Sequence, residues 1–145
     1  MTTETLEELG PVDIVVIGYP TGAPMTGSAA QLLLDEVDKG TISVLDAIFV
    51  TKDEDGTYSG FEATGLEQGR VGDFRVFEGA SSGLLGDADI ATAADAIEPG
   101  NSAVVIVYEN HWAAPFVSAV HQNGGVFVDH QRIPHQDLID AVEAS

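Results

Sequence analysis

Apolar and polar positions follow the same order twice along this chain. In the first passage an unbroken apolar run, Ile14 to Ile17, sits inside residues 13–20. Residues 29–40 follow, with Leu33, Leu34 and Val37 at helical spacing, and then residues 41–44. An unbroken run of β-branched residues predicts a strand covered on both faces, and the three-four spacing predicts an amphipathic helix. The second passage reads residues 103–108, 113–124 and 125–128 in the same way. One constant offset aligns Ala29 with Ala113, Leu33 with Val117, Gly40 with Gly124 and Val44 with Val128. Two β-α-β units in tandem predict an α+β fold, the ferredoxin-like sandwich, with an antiparallel sheet and helices on one face.

The rest of the pattern fills in around these units. Ser28 with Gln31 reads as a capping box for the first helix, and Gly40 as its left-handed stop. Residues 41–52 form a long strand, and Asp53-Glu54-Asp55-Gly56 turns it into a hairpin with residues 57–62. A glycine-rich stretch, 65–86, holds a short strand at 74–77. Asp87 or Asp89 caps a helix through Ile97, which Pro99 and Gly100 end. Pro134 opens a C-terminal helix carrying Leu138, Ile139 and Val142. This gives a flexible lead, 1–10, and one domain, 11–145, with repeat halves at about 12–52 and 102–130. The same fold can be counted differently: Ile14, Thr41, Thr57 and Ala103 then start the four core strands, and the helix at 113–124 is an addition.

Composition narrows the partners. The chain has 145 residues, enough for one full core, and 24 acidic against five basic residues give a formal net charge of -19. Such a surface repels phosphate backbones and anionic membranes, so nucleic acid is excluded as a partner. No apolar run approaches the roughly 20 residues that cross a bilayer, and the acidic N-terminus does not resemble a secretion signal. The absence of cysteine removes disulfides and thiolate chemistry and fits a reducing interior, so the expected location is cytoplasmic. The acidity reads either as adaptation to high salt, with stability rising as charges are screened up to roughly 1 M, or as ordinary solubility.

Candidate chemistry gathers after the 103–108 strand. The leading strands of the two halves run antiparallel, so Tyr19, Pro20 and the 53–56 turn lie at one end of the sheet and Glu109, Asn110, His111 and Trp112 at the other. No single site can use both ends. Glu109, His111, His130 and His135 can converge as a carboxylate-histidine set suited to a divalent metal or to acid/base work, although their spacing matches no local metal motif. As ordinary loop residues, Glu109 and His130 would be exposed. Asn110 reads as a helix cap, Pro115 fixes the entry, and Trp112 is either core or an interface anchor with Phe116 beside it. His121 aligns with Val37 and reads as packing. Residues 79–86 are not a phosphate loop, because no lysine follows, and no serine-nucleophile motif occurs. No cofactor is implied.

Residues 10–20, 40–56 and 99–116 together resemble a bacterial family of short proteins of unknown function, over most of 10–142. More distantly, the chain is similar to a group labelled uncharacterised membrane proteins, in which a long glycine-rich apolar insert separates two halves. Residues 79–86 are too short and polar to fill that role. The resemblance implies no catalytic residues. The expected function is therefore that of a non-enzymatic ferredoxin-like module for assembly or regulation, a homo-oligomer joined through its sheet face or edge, because its strands look buried on both faces. The competing class is a small-molecule- or metal-binding enzyme with its site near Glu109, His111 and His130, its ligand unknown.

Overall fold

The computed structural model describes residues 9–23, 28–62 and 83–144. The expected strand at 74–77 lies outside them. Four strands, β1 (Val12–Tyr19), β2 (Ser43–Lys52), β3 (Tyr58–Glu62) and β4 (Ser102–Glu109), form one sheet in the order β1-β4-β2-β3. Every neighbouring pair is antiparallel. The helices are α1 (Ser28–Asp38), α2 (Asp87–Asp95), α3 (Ala114–Gln122), entered through a 3-10 turn at His111–Ala113, and α4 (His135–Ala144). This is a ferredoxin-like α+β sandwich in the second of its two strand counts. Two β-α-β units, β1-α1-β2 and β3-α2-β4, interleave so that each holds a strand of the other between its own pair. α3 is the addition.

The duplicated pattern survives in the helix stops. Gly40 has φ 77° and Gly124 has φ 81°. In both, the glycine N–H donates to the carbonyl three residues back, while the following N–H donates to the one five back (Thr41 to Glu36, Gly125 to Val120). Two identical Schellman stops at aligned positions are what the constant offset requires. The segments after them part company. Residues 41–44 lead into β2, whereas the expected strand at 125–128 is not formed, and Val128 is 92% exposed. Two successive glycines raise the cost of fixing that chain, and three apolar residues return little burial.

The central strands β2 and β4 are buried on both faces, so each face needs a cover. On one face Ala47, Phe49, Val104 and Ile106 pack with Val15, Ile17 and Leu33 of α1. On the other, Val50, Ala103, Val105 and Val107 pack with Leu85 and with Ala93 and Ala94 of α2. The two crossover helices therefore divide between the faces, a departure from the expected arrangement in which the helices pack on one face. β1, whose apolar run predicts a central strand, is an edge strand: Val12, Ile14 and Val16 remain exposed on the face that α2 covers elsewhere.

Candidate functional site

The β1–β4 register pairs Val12 with Glu109 and Tyr19 with Ser102, so the loop groups do lie at opposite ends of the sheet. At the Glu109 end the chain builds a polar cluster. Glu109 closes β4 and is 2% exposed, which overturns the expectation of a loop carboxylate. A buried carboxylate requires donors. Its Oε2 accepts the Gly10 N–H at 2.7 Å and lies 3.1 Å from Nδ1 of His111, whose side chain is half exposed. Gly10 can come this close only because it lacks a side chain: a Cβ there would overlap the carbonyl oxygen of Asn110.

Asn110 does not cap the turn with its side chain. Its Nδ2 donates to the Pro11 carbonyl and to Oδ2 of Asp13, both at 2.9 Å. That Asp13 oxygen also accepts from Nη2 of Arg132 at 2.7 Å, and the same nitrogen lies 3.4 Å from the Tyr108 hydroxyl. One carboxylate thus ties β1 to the β4 loop and to the approach to α4. Sequence reasoning singled out neither Gly10 nor Arg132. The available signal was scarcity, since Arg132 is one of five cationic residues in a chain with 24 acids.

Of the four candidate ligands, Glu109 and His111 come together. His130 stacks on Phe127, with ring centres 5.0 Å apart, and His135 begins α4 in solvent. Among the described residues no three His, Cys, Asp or Glu side chains form a group able to hold a metal ion. Trp112 and Phe116 do not pack into the core; they are 67% and 62% exposed. They border a groove of about 770 Å³ with Phe127, His130 and Arg132. His121 is exposed as well and meets the edge of Phe127 at 5.9 Å. Pro115 does sit in the first turn of α3.

The far end of the sheet has a different character. Thr21 donates its N–H to Asn101 and its hydroxyl to the Gly100 carbonyl, and Lys52 Nζ donates to the carbonyls of Ala94 and Ile97 at the end of α2. These bonds fasten turns and a helix terminus, where a cation is favourable.

Residues 8–145 match a family of unknown function, DUF6325. The chain belongs to that family. Searches of curated proteins and of solved structures each return no match. DUF6325 membership assigns no activity, so function has to be argued from surface and geometry. Among the described residues no helix is long and apolar enough to cross a membrane.

Proposed function

We propose that this DUF6325 chain is a non-enzymatic, cytoplasmic module that self-associates and serves assembly or regulation. The observation that carries this reading is the apolar surface left in water. Val12, Ile14 and Val16 form an uncovered row on the sheet, and α4 buries no residue although Leu138, Ile139 and Val142 share one side of it. Contiguous exposed apolar surface on a folded domain marks a contact site. Against this, the Glu109–His111 pair supports acid/base chemistry only weakly, because the carboxylate is already engaged by the Gly10 amide. Light scattering on eluting protein tests the reading, at low salt and at about 1 M, where repulsion between two copies of charge -19 is screened. The expected mass exceeds one chain. A strict monomer under both conditions sinks the proposal, and stoichiometric metal in protein purified without a tag would move the assignment to the competing enzyme class.

A further inference from the structure

The two edges of the sheet are finished in different ways. β3 is five residues long, follows the acidic turn Asp53-Glu54-Asp55, and has Ile90 of α2 packed over Gly60. Short length, charge and a covering helix are devices that keep an edge from pairing. β1 is longer, among the described residues no helix covers Val12, Ile14 and Val16, and its single charge, Asp13, is paired with Arg132. It runs for eight residues without proline or lysine, and the irregularity in the sheet's register falls in β2, between Val44 and Asp46. Half the N–H and C=O groups of such a strand point away from its one neighbour. Among the described residues no strand meets the outer side of Val12 to Gly18.

Charge selects the occupant. Two copies of this chain repel wherever acidic surfaces meet, but the one charged residue of β1, Asp13, is neutralised by Arg132 on the face opposite Ile14. Resting on the self-association reading above, we propose that β1 of a second copy pairs with β1 in antiparallel fashion about a two-fold axis at Val15. The product joins the four described strands of each copy into one continuous sheet. Antiparallel partners directly opposite share a face, so this register sets Ile14 of one copy against Val16 of the other and merges the two exposed apolar rows. Sliding by one residue would set apolar side chains of opposite faces against each other, and sliding by two toward the N-terminus would shorten the overlap.

The chain contains no cysteine, so introduced thiols report cleanly. Ile14→Cys and Val16→Cys proteins, mixed and treated with an oxidant or a short bis-maleimide, are expected to cross-link to each other at least tenfold more than either does to itself. Ile14→Glu is expected to lower the mass from twice the 15.2 kDa chain to once that mass, with an unchanged circular dichroism spectrum. If the Glu variant and the wild type show the same higher mass, this edge is not the interface, while self-association by another surface stands. A wild type that is monomeric at all salt concentrations overturns both readings, including the case in which residues 125–128 of the same chain occupy the edge.

Discussion

A buried carboxylate fastens each side of the sheet, and only one of the two fastenings also provides a cover. On the β3 side Asp46, at the β2 irregularity, accepts the Ala47 N–H at 2.9 Å and the Leu85 N–H at 3.1 Å. Leu85 leads directly into α2, so this bond delivers a helix onto the sheet. On the β1 side Glu109 accepts the Gly10 N–H, and what it delivers is β1 itself. Among the described residues every buried side-chain nitrogen or oxygen has a partner, so both carboxylates are satisfied in hydrogen-bonding terms. Satisfying buried polar side chains and excluding water from apolar ones are separate tasks, and at β1 the described residues accomplish only the first.

Three measurements press on this contrast. Asp46→Ala leaves two buried amides without an acceptor and should cost on the order of 3 kcal/mol in denaturant unfolding. It should also speed hydrogen exchange in β3 and α2 more than in β1, and an equal effect on both edges would break the comparison. Glu109→Gln keeps an oxygen for the Gly10 amide but loses the charge beside His111, so about 1 to 2 kcal/mol is expected. The exposed-loop reading of Glu109 predicts almost no loss, so the measured value decides between the two. The smallest effect belongs to the acidic turn before β3. The Thr57 hydroxyl at 2.6 Å and the Thr57 amide at 2.9 Å hold the Asp55 carboxyl below its ordinary range. A lowered folded-state value means a contribution that is present above the unfolded carboxylate range, near pH 4, and disappears as pH falls through the folded value. Asp55 is fully exposed, so the expected readout is an NMR titration that moves upward in Thr57→Val, with little change in acid stability.

Periodicity made the elements legible but not their neighbours. The apolar runs at β1 and β4 look alike in sequence, yet β4 is central and β1 an edge, because burial on both faces depends on where α2 lands. The hairpin at 53–56, the Gly40 and Gly124 stops and the helix entering at Pro115 are local devices, and all are present as read. Glu109 was the least legible residue of the candidate cluster. A glutamate after Tyr108 reads as the start of a loop, and its burial rests on an amide 99 positions away. The convergence of Glu109 with His111 needed only two residues of separation. Placing His130 and His135 depended on a strand at 125–128, and without it their positions follow the loop instead of the sheet.

The pairing of β1 with β4 also sets an order of events during synthesis. Among the described strands only the β2–β3 hairpin joins neighbours close in sequence; Val12 must wait for Glu109 and Tyr19 for Ser102. At ribosomal rates the chain between them takes roughly 5 to 20 s to appear. Throughout that interval an eight-residue, mostly apolar strand is without the one strand that pairs with it among the described residues. The centre of the sheet is consequently a late, high-contact-order step, and the nascent chain is exposed to chaperone capture or misassociation at β1 before it can acquire its first partner.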